Sequence, residues 1–326
     1  MIEVLARPMS RRRVLIAGGA IAVGAAAGAL PRAARARPVA RTLRAGSGRV
    51  HLVGEDHPQT TVWCFGGRVP GPEIRARQGD RLRIEVTNAL AEETTVHWHG
   101  VRVPNAMDGV PHLTQRPIGP GETFIYEFDV EDSGTFWYHP HQRSHEQVGR
   151  GLYGTLIVEE RELPEVDRDI TWVLDDWRLR DDASISDDFG NPRDLSHNGR
   201  IGNTVTINGQ VPDEFAVRAG ERIRLRLVNA ANARIFGLIF RDHRPLVVAI
   251  DGHPVEPHVP ENGRVVLASG MRIDLILDMI GSPGDRTTVV DDFYRDLAYR
   301  LIDFVYRPDR LREKPPETPF RLAPNP

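Results

Sequence analysis

The chain of 326 residues contains one cysteine, Cys64, and this scarcity already excludes several classes of protein. A single thiol cannot form an internal disulfide, a cysteine-based zinc ribbon or a Cys–Cys redox centre. Hydrophobic residues make up 40% and charged residues 27% of the sequence, which argues against a disordered chain, a collagen-like repeat and a multi-span membrane protein. The length corresponds to about two domains.

Charge is unevenly distributed along the chain. Residues 1–44 hold nine arginines and one acid, so this segment carries a charge of +8 and the rest of the chain carries −11. An acidic body lacks the clustered Lys and Arg side chains that bind phosphates, and aromatic residues make up only 7% of the sequence. We therefore expect no nucleic-acid partner.

Long apolar runs are also missing. The longest one, residues 14–30, has 17 residues that are mostly Ala and Gly, whereas a membrane span needs about 20 strongly apolar residues. This run follows the basic segment 10–13 and precedes the small-residue triplet 34–36, which is the order of a secretory signal. The paired arginines resemble a twin-arginine signal. We expect residues 1–36 to be a twin-arginine-type signal peptide, a periplasmic or extracellular location and no stable membrane span.

The body of the chain alternates apolar and polar residues, and helical periodicity is scarce after residue 45. Residues 81–88 place Leu82, Ile84 and Val86 on one face and polar side chains on the other, and residues 123–130 repeat the pattern. Such alternation predicts half-buried strands. Short strands bounded by Gly, Pro, Asn and Asp predict an all-β sandwich or barrel.

The sequence repeats itself once. Three segments recur in the same order: 67–71 as 209–213, 77–84 as 218–225, and 118–121 as 267–270. The offsets of 142, 141 and 149 residues are nearly constant, which predicts two copies of one domain. We expect these domains over residues 40–162 and 168–307. Residues 308–326 contain six prolines and favour an extended linker or tail over a packed element.

The sequence contains two pairs of histidines with the spacing His-x-His: His97-Trp98-His99 and His139-Pro140-His141. Twelve histidines in this chain would produce roughly 0.4 such pairs by chance. On a strand, residues i and i+2 share one face about 6.6 Å apart. Imidazoles so placed converge on one metal or on two neighbouring metals, and neutral imidazole suits copper and zinc. The alternative is that all four histidines are hydrogen-bonded core residues.

These motifs resemble a known family. His97–Gly100, Trp137–His141 and Gly151–Val158 look like the first two copper motifs of the multicopper oxidases. Met107–Pro111 and Pro120–Glu122 lie between them, as in bacterial laccase-like and copper-resistance members. The resemblance runs from about residue 45 to the end of the chain. It implies an all-β fold of two tandem cupredoxin-like domains, which are Greek-key β-sandwiches, corresponding to the first and second cupredoxin domains of the family.

The resemblance also implies roles for five residues. His97 would be a ligand of the type 2 copper, and His99, His139 and His141 would be ligands of the type 3 copper pair. Asp108 matches the acidic residue that relays protons near the copper cluster, although a simple turn residue before Gly109 is an equal alternative. The implied activity is a copper-dependent oxidation of a phenolic or metal-ion substrate coupled to reduction of O₂ to water.

The sequence departs from the family where the electrons are accepted. A third cupredoxin domain normally supplies a His-Cys-His motif and the type 1 copper, and the sequence contains neither. No histidine lies within five residues of Cys64, which we expect to be a buried apolar residue. We therefore expect an oxidase sequence truncated before the type 1 copper domain and inactive as a laccase by itself. The alternatives are an exported copper-binding protein, a half-enzyme completed by a partner chain, and a scaffold descended from the family.

Most of the remaining histidines lie in Gly-, Pro- or polar-rich segments, and we expect them in solvated loops. They are His51, His57, His112, His145, His197, His253 and His258.

Overall fold

This computed structural model describes residues 38–326. Most of the regular structure in this range is β-strand. The predicted signal peptide, residues 1–36, lies outside the described residues. The strands are β1 (Val39–Val50), β2 (Thr60–Phe65), β3 (Ile74–Arg77), β4 (Arg81–Asn88), β5 (His97–His99), β6 (Thr123–Asp129), β7 (Gly134–His139), β8 (Gly154–Glu159), β9 (Arg168–Trp177), β10 (Thr204–Ile207), β11 (Glu214–Val217), β12 (Arg222–Asn229), β13 (Phe236–Phe240), β14 (Leu246–Ile250), β15 (His253–His258), β16 (Arg264–Leu267), β17 (Arg272–Asp278), β18 (Arg286–Asp291) and β19 (Tyr299–Tyr306). The helices are α1 (Ser144–Gln147) and α2 (Pro192–Ser196), and 3₁₀ turns cover Asn105–Met107 and Glu261–Gly263. Within residues 38–326 no helix is long and apolar enough to cross a membrane.

The strands form four sheets, two in each half of the described chain. The first half contains the sheets β2-β1-β4-β6 and β3-β8-β7-β5. The second half contains β10-β9-β12-β17-β14-β15 and β11-β19-β18-β13-β16. Each pair of sheets encloses its own apolar core, so each half is a β-sandwich. The predicted all-β fold with two tandem sandwiches is confirmed.

The topology of the first sandwich recurs in the second. Strand β1 runs parallel to β4 and antiparallel to β2, and β9 pairs in the same way with β12 and β10. Strand β7 joins β8 and β5, as β18 joins β19 and β13. Strands β14, β15 and β16 extend the second copy. The repeated segments of the sequence therefore correspond to equivalent strands and turns.

A buried asparagine closes the same turn in both copies. Asn88 donates through Nδ2 to the carbonyls of Glu92 and Ile118 and accepts from the amide of Leu90. Asn229, in the second copy, makes the equivalent three bonds to Arg234, Leu267 and Ala231. Both asparagines are fully buried, so these bonds supply partners for backbone groups in a place where their side chains exclude water. The Asn-Ala pair at residues 88–89 recurs at residues 229–230, and these bonds are a structural reason for that recurrence.

The alternating pattern places the expected residues in the cores. Leu82, Ile84 and Val86 are fully buried in the first sandwich, as predicted. Cys64 is buried too, in an apolar cluster that includes Trp137 from the first sandwich and Trp177 from the second. Burial raises the pKa of its thiol. The prediction that Cys64 is a buried apolar residue is confirmed.

Charged residues are buried where the two sandwiches meet. Arg224 and Arg226 on β12 are inaccessible to solvent, and Asp274 on the neighbouring strand β17 accepts from both of them. The second oxygen of Asp274 accepts from the hydroxyl of Thr135, which lies on β7 of the first sandwich, at 2.6 Å. Arg224 also contacts Glu160 at 2.8 Å. Buried charges are tolerated only when they are paired in this way.

The proline-rich tail, residues 308–326, contains no helix or strand, yet it packs against the body. Arg222 donates to the carbonyls of Pro316 and Thr318, and Phe320 and Leu322 are buried. The sequence favours an extended linker over a packed element, and the structure differs because an arginine supplies donors for the extended backbone. Near the end of the tail, Asn325 exchanges hydrogen bonds with the backbone of Ser133, just before β7. The tail therefore joins the second sandwich to the first.

The buried asparagines generate the first prediction. Asn229→Ala removes three side-chain hydrogen bonds to the backbone at a fully buried position, so it should lower the free energy of unfolding by about 3 kcal/mol. Asn105→Ala, at an exposed position with no side-chain hydrogen bond, is the control and should change it by less than about 0.5 kcal/mol. Urea unfolding followed by tryptophan fluorescence measures both. Equal midpoints for the two variants would contradict a structural role for Asn229.

Candidate metal centre

Strand pairing brings the two His-x-His motifs together. Strands β5 and β7 are antiparallel neighbours, with His97 opposite His139 and His99 opposite Trp137. Residues i and i+2 share one face of a strand, so His97, His99 and His139 lie on the same side of this sheet. His141 follows β7 by two residues and continues on that side, with its ring centroid 4.5 Å from that of His97. The expected convergence of the four histidines is present in the structure.

The nitrogens are close enough to share metal ions. One ligand nitrogen from each of His97, His99 and His139 lies within 4.8 Å of the other two. Nδ1 of His99 is 3.2 Å from Nε2 of His139. The ring centroid of His141 lies 5.5 Å from that of His139. The alternative of four separate, internally satisfied core histidines does not fit this arrangement, because the imidazoles mainly face one another.

Hydrogen bonds to carbonyls orient the rings. Nδ1 of His97 lies 2.8 Å from the carbonyl of Asp108, and Nδ1 of His139 lies 3.0 Å from that of Pro140. A carbonyl only accepts, so both Nδ1 atoms carry a proton and both Nε2 atoms are unprotonated. His99 then donates from Nδ1 to His139, which leaves its own Nε2 unprotonated. This pattern of backbone bonds behind the ring is how proteins orient metal-binding histidines.

Burial keeps the imidazoles of His99 and His139 neutral. It lowers the pKa of His99 to about 3, with a further contribution from the positive charge of Arg272. Burial also lowers the pKa of His139 well below its ordinary value and, to a smaller degree, that of His141. Neutral imidazole is the form that binds copper. The residues therefore fit a copper site in charge state as well as in position.

Asp108 lies beside the cluster. One carboxylate oxygen is 3.3 Å from Nδ1 of His97, and the side chain is 34% exposed, so it contacts both the imidazole and solvent. The next residue, Gly109, has a φ of +77°, and a Cβ there would lie 1.9 Å from the carbonyl of Val96. The turn thus presses against the residue that precedes His97. Asp108 occupies a turn and also faces a candidate ligand, so the two interpretations of this residue are compatible.

The second sandwich supplies the other wall of the site. The histidines open into a cavity of about 520 Å³ that also includes Trp137, Asn232, Ser269 and Gly270. The indole of Trp137 lies against His139, with ring centroids 4.1 Å apart, and its N–H has no partner among the described residues. Asn232 donates to the carbonyl of His145 across the cavity. The second sandwich, which has no His-x-His pair of its own, thus helps to enclose the histidines of the first sandwich.

Sequence reasoning missed two residues near the cluster, Trp137 and Arg272. Trp137 is the first residue of the motif 137–141, and its position opposite His99 follows from the strand register. Arg272 carries no local signal, because only the packing of β17 against the first sandwich brings it to the cluster. Its Nη2 would lie 2.2 Å from a Cβ at Gly100, the residue after His99.

The remaining histidines stay outside the cluster. His57, His112, His145, His197, His253 and His258 are exposed and His51 is partly exposed. His145 lies on α1 and borders the cavity, and His253 and His258 lie on β15, so the expectation of loops is wrong for these three. The solvated environment is nevertheless as expected for the exposed six. His243 is buried and lies 2.7 Å from the hydroxyl of Tyr306.

Comparisons with known proteins decide the family. A multicopper oxidase family model matches residues 48–163, and a second multicopper oxidase model matches residues 168–296. The chain belongs to the multicopper oxidase family. Copper is the cofactor of this family, and its cupredoxin-like fold is the one described above.

Relatives and solved structures of multicopper oxidases agree with this assignment. Multicopper oxidase MmcO of Mycobacterium tuberculosis is 33% identical over 81% of this chain and 56% of its own length. The crystal structure of a multi-copper oxidase from Pseudomonas thermotolerans superposes with a TM-score of 0.82 at 37% identity, covering 89% of this chain and 68% of that one. A laccase-like multi-copper oxidase CueO from Ochrobactrum sp., described as having oxidase activity towards lignin model compounds, has a TM-score of 0.75 at 30% identity over 90% and 65% of the two chains. The chain spans about half the length of the curated relatives it matches.

The close approach of Arg272 to Gly100 generates the second prediction. Gly100 has a φ of +85°, and Gly121 has a φ of +79° with nothing within 4 Å of its absent Cβ. Gly121→Ala should cost about 1 kcal/mol of stability from backbone strain alone. Gly100→Ala should cost more, because its Cβ must also displace a guanidinium whose side chain is only 4% exposed. Thermal unfolding of both variants measures the difference. Equal losses of stability would show that the side chain of Arg272 can move away from the new Cβ without destabilising the protein.

Proposed function

We propose that this chain is the copper-holding part of a copper-dependent oxidoreductase that oxidises a phenolic or metal-ion substrate and reduces O₂ to water. The single observation that carries the proposal is the convergence of His97, His99, His139 and His141 on one side of a sheet. The fold alone would not support it, since the equivalent strands of the second sandwich carry Leu238 and Asp291 where the first has His97 and His139. The lignin-related activity of the Ochrobactrum relative supports the phenolic substrate class.

The histidines would divide their roles as the family motifs suggest. His97 would bind the type 2 copper, and His99, His139 and His141 would bind the type 3 pair. Copper held there supplies one-electron redox chemistry and the reduction of dioxygen. Burial holds the imidazoles of His99 and His139 neutral, and the carbonyls of Asp108 and Pro140 orient the rings of His97 and His139 from behind.

We propose that Asp108 handles protons at this site. Its carboxylate lies within reach of Nδ1 of His97 and is partly exposed, so it connects the imidazole with solvent. Reduction of O₂ to water consumes protons, and a carboxylate in this position can take them up from water and hold them beside the cluster. The backbone carbonyl of Asp108 orients His97 and does not depend on the side chain. The orienting role and the proton-handling role of Asp108 therefore belong to different groups.

The electrons would reach the cluster from a type 1 copper held by a further cupredoxin unit, on the same polypeptide or on a partner chain. Cys64 is the only cysteine of the chain, and it is buried in the apolar cluster between the sandwiches rather than in the histidine cavity. His141 is the most exposed of the four histidines, so such a unit would add its ligands on that side of the cluster. An exported copper-binding protein is the alternative if no such unit exists.

We also propose export to the periplasm or the extracellular space by a twin-arginine-type signal in residues 1–36. The paired arginines before a weakly apolar run support this proposal. Export of a folded protein would allow copper to be bound before or after passage. Fractionation of cells that produce the full chain is the direct measurement, and an unprocessed cytoplasmic protein would contradict the proposal.

Copper titration of the purified chain is the third prediction. The wild-type chain should bind copper, and His99→Ala and His139→Ala should each weaken binding at least about tenfold, because each removes a nitrogen from the central group. His145→Ala is the matched control, since His145 borders the same cavity without belonging to that group. It should leave the affinity unchanged. Absence of copper binding by the wild type would overturn the proposal.

The fourth prediction concerns activity. The copper-loaded chain, tested by itself with a phenol, should show no coupled consumption of O₂ and no intense blue absorption, because no cysteine lies among the candidate ligands. An oxygen electrode and visible spectroscopy make the two measurements, with a three-domain family member as positive control. Oxidation of the phenol with reduction of O₂ to water by the pure chain would contradict a separate electron-accepting unit.

A further inference from the structure

Arg272 is the one arginine of the second sandwich that reaches the corner formed by His99 and Gly100. It is the first residue of β17, and its side chain is only 4% exposed. Nη2 would lie 2.2 Å from a Cβ at Gly100, so only a glycine fits there. The second sandwich contributes none of the four candidate copper ligands, yet it places a permanent positive charge beside one of them.

Backbone carbonyls hold the guanidinium in place. Nε donates to the carbonyl of Thr135 at 3.3 Å, Nη1 to that of Gly270 at 3.1 Å, and Nη2 to that of Asp251 at 2.9 Å. Thr135 lies on β7, four residues before His139. Gly270 borders the ring of His99, whose Cε1 would be 3.4 Å from a Cβ at position 270. The arginine therefore touches β7, the residue that follows β5, and the turn at Gly270.

The positive charge of Arg272 is only partly balanced. The carboxylate of Asp251 lies 3.1 Å from Nη1, but its side chain is 45% exposed, so solvent screens it far more than it screens the guanidinium. Asp274, the nearest buried acid on the same strand, is already paired with Arg224 and Arg226. The guanidinium beside His99 is therefore screened less by solvent than Asp251, the acid that contacts it.

We infer that Arg272 is a positioning residue of the copper centre that shifts its preference towards Cu(I) and away from Cu(II). This inference rests on the proposed copper-binding function. The buried positive charge repels a dication more than a monocation, so it weakens Cu(II) binding more than Cu(I) binding. The three carbonyl bonds hold the charge at a constant position relative to His99, and a mobile surface arginine would be screened and have little effect.

Substitutions that change charge and shape separately test this inference. Arg272→Gln removes the charge and should raise the affinity ratio of Cu(II) to Cu(I) about tenfold. Arg272→Lys keeps the charge with a different shape and should leave that ratio within about threefold of wild type, even where absolute affinities fall. The two affinities are measured on the full chain, by competition with a chromogenic Cu(I) chelator under anaerobic conditions and with a Cu(II) chelator.

Asp251→Asn provides the opposite change. Asn keeps the positive φ of +51° at this position and the acceptor for the amide of Arg272, while the partly balancing negative charge is lost. The ratio of Cu(II) to Cu(I) affinity should fall about threefold, less than the change in Arg272→Gln because Asp251 is screened by solvent. A purely structural role for Arg272 would not produce opposite shifts in these two variants.

Arg222→Gln is the matched control for loss of a buried arginine. Arg222 pairs with Asp278, six residues along β17 from Arg272, which is about 20 Å at the rise of a strand. The control should lower the midpoint of thermal unfolding without changing the copper preference. Thermal unfolding of every variant confirms that the compared proteins are folded, and Asp251→Asn and Arg272→Lys test the inference if Arg272→Gln does not fold.

The outcomes separate this inference from the proposed function. A wild-type chain that binds neither copper ion overturns the proposed function and the inference with it. A wild-type chain that binds copper, with the same affinity ratio in Arg272→Gln and Asp251→Asn, overturns the inference alone. Opposite shifts in these two variants, with an unchanged ratio in Arg222→Gln, support it.

Discussion

The candidate metal centre depends on how β7 is held between the two sandwiches. This strand carries Trp137 and His139, and its first residues contact the buried arginine–carboxylate network of the second sandwich through Thr135. Removing one partner of a buried pair leaves an uncompensated charge and costs about 3–5 kcal/mol, so the network has one satisfied arrangement and many costly ones. The position of His139 relative to its neighbours is therefore tied to the docking of a sandwich that contributes no ligand.

Burial at the junction of the two sandwiches favours metal binding by the histidines. It keeps the imidazoles of His99 and His139 neutral, and a neutral ring has a lone pair for a metal. The same burial leaves the charge of the Arg272 guanidinium poorly screened by solvent, which is the basis of its proposed effect on copper preference. A copy of the domain that lost or never had metal ligands can thus still shape the site, as a wall, as a docking surface and as a source of charge.

Comparison of β4 with β12 shows where sequence patterns stop being informative. Both strands alternate arginine with apolar residues, and in both the apolar residues enter the core of their own sandwich. In β4 the other face meets solvent, and Arg83 is 37% exposed. In β12 that face meets the first sandwich, and Arg224 is fully buried. The alternation predicts the strand and its core face, but not what covers the opposite face.

By itself the sequence determined the β fold, its duplication and the ligand pairs, because strand alternation, turn chemistry and His-x-His spacing are local properties of the chain. It also placed Asp108 among the candidates through its motif. Only the tertiary structure decided that His97 lies opposite His139, that Asn232 and Gly270 close the cavity, and that Arg272 lies beside His99. These residues are between about 40 and 175 positions apart, and the docking of one sheet on another that brings them together leaves no trace in any short stretch of sequence.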